Sequence, residues 1–112
     1  MGRGKAPADR PFGVTRVWFL PAAHVDVQTA FEWYETERQG LGEEFVQAVQ
    51  VALDHILEFP AACLVAHRGA RRYLIERFPY CLYYREVGEG LVVVALLHAA
   101  RDPESPRRRI EG

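Results

Sequence analysis

The spacing of the hydrophobic positions changes several times along the chain, and each change marks a predicted element. Residues 14 to 20 (VTRVWFL) combine β-branched and aromatic side chains and end at Pro21, which predicts a first strand. Proline suits the first turn of a helix, where its missing N–H is not needed, so we expect a helix over residues 22 to 38. Its apolar positions recur at helical spacing: Val27, Ala30, Phe31 and Tyr34.

A second helix is predicted over residues 43 to 59. Gly40 can end the first helix in the left-handed conformation, and Pro60 stops the second. The apolar stripe of this helix consists of Phe45, Val49, Ala52, Leu53, Ile56 and Leu57. Because the link between the helices is short, we expect them to pack antiparallel as a hairpin.

Three strands follow, at residues 71 to 77, 80 to 87 and 91 to 98. Their connections are short, which predicts an antiparallel meander. Residues 91 to 97 are apolar at every position, which is typical of a strand buried on both faces. The element order is β-α-α-β-β-β, so we predict an α+β domain in which a helical hairpin packs on a small antiparallel sheet.

The chain of 112 residues is long enough for one domain, which we place at residues 14 to 104. Residues 1 to 13 are predicted to be a flexible leader and residues 105 to 112 a polar, frayed tail. No apolar run reaches the length of a membrane span, which favours a cytoplasmic protein without membrane contact. Cys63 and Cys81 lack metal-ligand or CxxC spacing, so we expect buried, reduced thiols and neither a metal nor a cofactor.

Charge is unevenly distributed, although the formal net charge is only −1. Residues 26 to 58 contain eight acidic residues against one arginine, whereas residues 67 to 86 contain five arginines against two glutamates. Arginine favours planar, bidentate contacts with carboxylate or phosphate. The near-neutral total argues against a general nucleic-acid binder, so we expect DNA contact only indirectly, through a protein partner.

Three segments together resemble the ParE branch of the RelE/ParE family, the toxins of type II toxin–antitoxin modules. They are the Gly-Leu-Gly-Glu-Glu-Phe link between the helices, the Arg-Phe-Pro-Tyr turn, and the last strand closing in His-x-x-Arg-Asp-Pro. The resemblance covers residues 14 to 104 and implies the same fold, a helical hairpin against a small sheet.

The resemblance also implies a cognate antitoxin whose flexible segment folds onto the toxin as a helix or an added strand. We therefore predict antitoxin contacts on the hairpin and at the sheet edge, with Trp33, Tyr34 and Phe45 as the binding residues. Trp33 lies beside the apolar stripe. It can serve either as an anchor for the partner or as internal packing where the helices cross.

Members of this family have two different activities. ParE-type toxins trap DNA gyrase on cleaved DNA and need no catalytic residues, whereas RelE-type toxins cleave mRNA on the ribosome. Ribonuclease chemistry needs acid–base groups and cations, for which this chain offers His98, Arg72 and Arg85. Lys5 is the only lysine, in contrast to the lysine-rich surface of RelE. We therefore favour gyrase inhibition, with the endoribonuclease and a non-toxic interaction domain as alternatives.

Arginines are the candidate target-binding residues. The predicted set is Arg72, Arg77, Arg85 and Arg101. Adjacent strand residues point to opposite faces, so one of Arg71 and Arg72 is expected to pair with helix glutamates. By the same rule, one of Tyr83 and Tyr84 is expected in the core and the other on an open face.

Overall fold

The computed structural model describes residues 16 to 100 and 104 to 111. Its elements are β1 (Val17–Phe19), α1 (Pro21–Glu37), α2 (Leu41–Glu58), β2 (Val65–His67), β3 (Ala70–Leu74), β4 (Tyr80–Val87), β5 (Gly90–His98) and α3 (Glu104–Glu111). The predicted α+β class and the hairpin on a sheet are confirmed. Strand β2 and helix α3 are additions to the predicted order, and the leader lies outside the described residues.

The five strands form one mixed sheet in the order β1-β5-β4-β3-β2. Strand β1 runs parallel to β5, whereas the other neighbours are antiparallel. The close approach of β1 depends on Gly90, since a Cβ there would lie 2.5 Å from the backbone oxygen of Arg16. Because β5 lies between β1 and β4, it is an interior strand, as its continuous apolar sequence predicts.

The helical hairpin is held at its turn by one carboxylate. Glu35 accepts hydrogen bonds of 2.9 Å from the backbone N–H groups of both Gly40 and Gly42. Gly40 has φ of 90°, a conformation that favours glycine. The apolar stripes of α1 and α2 then pack on one side of the sheet, the hairpin face, where Tyr34, Phe45 and Phe78 meet with ring centroids 5.0 to 5.3 Å apart.

Helix α3 lies against β5 and β2 on the opposite side of the sheet. Ile110 packs there against a second cluster of buried residues, namely Ala70, Cys81, Tyr83, Val94, Ala95 and Leu97. The segment predicted as a frayed polar tail thus forms a helix anchored by an apolar contact. Tyr83 and Tyr84 do point to opposite faces, but both are buried, so the prediction that one lies on an open face is wrong.

Candidate functional site

Two of the predicted target-binding arginines share one face of the sheet. Arg72 pairs with Tyr83 across the β3–β4 ladder, and Arg85 lies two residues beyond Tyr83 on β4. Arg72 and Arg85 are therefore diagonal neighbours, with Cα atoms about 7–8 Å apart. We call this surface, which lies on the side of α3 and is opposite to the hairpin, the arginine face. Arg72 is exposed and Arg85 is half-buried.

Both arginines are oriented by neutral partners. The hydrogen bond from Arg72 opposes the rise in the pKa of Tyr83 that burial causes. Arg85 donates from Nε and Nη2 to the backbone oxygen of Arg68, at 3.3 and 3.0 Å. A phenol and a carbonyl carry no formal charge, so these contacts fix the two guanidinium groups without neutralising them.

Arg71 and Arg77 have different environments. Arg71 lies on the hairpin side, where it donates to Glu86 at 2.9 Å and to the backbone oxygen of Cys63 at 2.6 Å. Its partner is thus a strand glutamate and not a helix glutamate, which corrects the prediction. Arg77 donates to Glu44 of α2 at 2.9 Å and stacks 4.9 Å from the ring centroid of Phe78. This hydrogen bond lowers the pKa of the Glu44 carboxyl.

The structure does not bring the predicted arginine set together. Arg77 belongs to the helix side of the molecule, apart from Arg72 and Arg85 on the arginine face. Arg101 lies outside the described residues. The target-binding candidates that share one surface are therefore Arg72 and Arg85.

His98 also lies apart from these arginines. It pairs with Tyr80 across the β4–β5 ladder, and its ring packs edge-on at 5.2 Å against that tyrosine on the hairpin face. Its Nδ1 accepts a hydrogen bond of 3.1 Å from the backbone N–H of Ala100, which places the ring proton of the neutral form on Nε2. The sheet separates His98 from Arg72 and Arg85, so the predicted ribonuclease set is not assembled as one site.

The three predicted antitoxin-binding residues differ in their exposure to solvent. Trp33 is 56% exposed and packs edge-on against Tyr34, with ring centroids 5.0 Å apart. Tyr34 and Phe45, by contrast, are buried in the aromatic core and present no surface to a partner. Their place in the apolar helix stripes already indicated packing. Trp33 remains as a candidate contact.

A groove of about 300 Å³ between α2 and the β3–β4 connection was not predicted. Its lining residues are Glu44, Gln47, Ala48, Val51, Ala52, Tyr73, Glu76 and Arg77. Exposed apolar side chains on and near strands β2 and β3 form what we call the β2–β3 edge: Leu64, Val65 and Leu74. Strand β2 pairs with β3 only as far as Arg71, with one further hydrogen bond from Arg72 to Leu64, so the outer edge at Leu74 is open beside the groove.

Neither a metal centre nor a membrane span is evident in the described ranges. Residues 16 to 100 and 104 to 111 contain no group of three or more His, Cys, Asp or Glu side chains placed to hold a metal ion. No helix in these ranges is both long and apolar enough to cross a bilayer. The surfaces described above are therefore the site candidates.

The chain thus combines a helical hairpin on a five-stranded sheet with two separate surfaces, the arginine face and the groove beside the β2–β3 edge. The model of the ParE toxin of the type II toxin–antitoxin system parDE matches residues 17 to 103. The chain belongs to this family of toxins. A solved structure of the chromosomal ParDE TA system from P. aeruginosa has a similar fold, with a TM-score of 0.65 and 15% sequence identity. The match covers 74% of this chain and 94% of the other. Curated proteins gave no significant match.

Proposed function

We propose that this ParE-family toxin acts by inhibiting DNA gyrase and that a cognate antitoxin neutralises it. The observation that carries the choice of inhibitor over ribonuclease is the separation of His98 from Arg72 and Arg85 by the sheet. General acid–base cleavage of RNA needs a proton carrier and cations around one phosphate. An inhibitor needs only a surface that binds its target, which the arginine face offers.

Purified gyrase provides the direct test. With supercoiled and relaxed plasmid as substrates, the protein should block supercoiling and raise the amount of linear, gyrase-cleaved DNA. A parallel reaction with translating ribosomes should leave the mRNA intact. Cleaved mRNA together with unimpaired gyrase would favour the ribonuclease instead, and no effect in either reaction would favour a non-toxic interaction domain.

The antitoxin, in this proposal, docks on the groove and the β2–β3 edge. The groove offers Val51, which is 49% exposed, next to an open strand edge that carries Leu74, which is 61% exposed. An amphipathic helix that enters an apolar groove, or a strand that pairs with a free edge, is the usual way in which a flexible segment folds on its partner. The ParDE system named by the similar structure supports the existence of such a partner.

Substitutions can distinguish antitoxin docking on the groove from antitoxin docking on the hairpin at Trp33. Val51→Glu should weaken antitoxin affinity by about tenfold or more, because it places a charge in an apolar contact. Val25→Glu is the matched control, since Val25 is 60% exposed on α1, outside the groove. Trp33→Ala is the third variant. If it abolishes binding and Val51→Glu does not, the antitoxin docks on the hairpin and this part of the proposal fails.

A further inference from the structure

The molecule is electrically polarised across its sheet. All eight acidic residues between positions 26 and 58 belong to α1 and α2, and one of them, Asp26, is paired with Arg109 of α3. Glu86 of β4 pairs with Arg71 on the hairpin side as well. The opposite side carries Arg72 and Arg85 on the strands. A protein of formal net charge −1 thus exposes a locally cationic surface.

We propose that the arginine face binds the phosphate backbone of duplex DNA. The two guanidinium groups are the first reason to infer a phosphate-containing partner. Each is held by a neutral acceptor, and each keeps the planar fork of donors that matches phosphate oxygens. As diagonal neighbours on adjacent strands, the two cations lie close enough together to contact neighbouring phosphates of one nucleic-acid strand.

Helix α3 extends this surface. Arg107 and Arg108 are exposed on α3, which lies across the same side of the sheet. Arg107 contacts Glu104 at 3.1 Å and Arg108 contacts Ser105 at 3.4 Å. An exposed ion pair such as Arg107–Glu104 stabilises a protein by only about 0–1 kcal/mol, and both arginines add positive charge to this side of the sheet.

The surroundings favour a duplex over a single strand. Single-stranded nucleic acid is bound by stacking its bases on exposed aromatic rings between the cations. Tyr83, the ring next to Arg72 on this face, is only 3% exposed and belongs to the buried cluster against which Ile110 packs. Trp18 shares this face, aligned with Arg85 through Val92, but it is half-buried. The arginine face therefore offers phosphate contacts with little aromatic surface for stacking, which favours sequence-independent backbone binding.

This inference changes the expectation, drawn from the net charge, that DNA is contacted only indirectly. The acidic hairpin repels DNA, so binding is weak and restricted to one orientation. It also deepens the proposed function and rests on it in one respect. A gyrase inhibitor meets its target with DNA bound, and a second contact to that DNA would hold the inhibitor at the cleavage complex.

Binding of the full chain to a fluorescent 30-base-pair duplex, without gyrase, tests the inference. Anisotropy titrations between 50 and 200 mM salt should give a plot of log K against log salt with a slope of about −2 to −4, as expected for two to four phosphate contacts. Arg72→Gln and Arg85→Gln should each reduce the magnitude of that slope by about 1. Arg38→Gln is the control, because it removes the same charge from the hairpin side, where Arg38 pairs with Glu44.

Several results would overturn the inference. Absence of duplex binding at 50 mM salt is one, and an equal loss of binding in Arg38→Gln is another. The duplex could fail to bind while Arg72→Gln and Arg85→Gln no longer bind gyrase in the absence of DNA. In that case the arginine face binds an acidic protein surface instead. Far-ultraviolet circular dichroism of each variant ensures that the fold is intact. Because the duplex titration contains no gyrase, failure of gyrase inhibition remains a separate result.

Discussion

Asp26 of α1 and Arg109 of α3 are 83 positions apart in sequence and form a bidentate ion pair. The Nη1 and Nη2 atoms of Arg109 lie 3.1 and 2.7 Å from the two carboxylate oxygens. Asp26 Oδ2 also accepts a hydrogen bond of 3.0 Å from the backbone N–H of Leu96 in β5. One carboxylate therefore joins the hairpin, the sheet and the C-terminal helix.

Loss of this carboxylate should loosen α3. We expect Asp26→Asn to lower the free energy of unfolding by about 1–3 kcal/mol, since hydrogen bonds to charged groups contribute about that much. Arg109→Gln should cost less, because the contact to Leu96 stays. Urea unfolding measures both. Glu104→Gln is the control, since its pair with Arg107 is 55% exposed on both sides. Equal unfolding midpoints for all three variants would contradict the conclusion that the Asp26 carboxylate joins α1, β5 and α3.

Gly90→Ala should destabilise the sheet at β1. The added Cβ would lie 2.5 Å from the backbone oxygen of Arg16, and backbone cannot move aside as a flexible side chain can. Overpacking of this kind typically costs about 1–3 kcal/mol, which thermal unfolding would reveal as a lower midpoint. Glu89→Ala, at the exposed neighbouring position, should change little. An unchanged midpoint for Gly90→Ala would mean that β1 shifts without cost.

Alkaline pH should weaken the fold through its buried tyrosines. Burial raises the pKa of Tyr84 far above the ordinary value near 10, and it raises the pKa of Tyr34, Tyr73 and Tyr83 as well. The folded state thus holds these protons more tightly than the unfolded state. The resulting stabilisation is fully present below about pH 10 and is lost as the pH rises above it.

A spectrophotometric titration at 295 nm should show tyrosine ionisation that begins together with unfolding. Tyr84→Phe provides a second readout, since the hydroxyl of Tyr84 donates to the backbone oxygen of Pro60 at 2.8 Å. Its loss should cost about 1–2 kcal/mol at neutral pH and reduce the alkaline loss of stability. Ionisation of every tyrosine near pH 10 in the folded protein would contradict the burial argument.

Trp33→Ala and Phe45→Ala should differ in stability by several kilocalories per mole. Phe45 is fully buried, and its truncation should cost about 3–5 kcal/mol because a cavity remains. Trp33 is more than half exposed, so its truncation should cost less than about 1 kcal/mol. Chemical denaturation of the two variants makes the comparison. A large loss for Trp33→Ala would assign this residue to internal packing and remove it as a partner contact.

The local elements could be predicted from the sequence because their patterns are self-contained. Strand β4 has the predicted bounds, and the helix stripes identify buried residues except at Phe31 and Leu57, which are half-buried. Helix α3 escaped prediction because its evidence is a single apolar residue, Ile110, and a salt bridge to a residue 83 positions away. Strand β2 has three residues and an irregular register, too short a stretch for period-two alternation to be recognised.

The candidate site was predictable only in part, because sequence periodicity assigns residues to faces but does not tell which faces are covered. It separated Arg71 from Arg72 correctly. It did not indicate that α3 lies across the arginine face, or that Arg77 turns toward Glu44 with φ of 75°. The groove depends on the gap between α2 and the β3–β4 connection, which becomes apparent only after these elements pack.

The position of β5 between β1 and β4 has a consequence for synthesis of the protein. The strand that follows α2 along the chain is not the one that receives β1, so the sheet cannot close until residues 90 to 98 have left the ribosome. A nascent chain ending earlier holds the hairpin and the β3–β4 pair without the strand that joins them to β1. We therefore expect translation products that end before residue 98 to lack the assembled sheet and to be inactive.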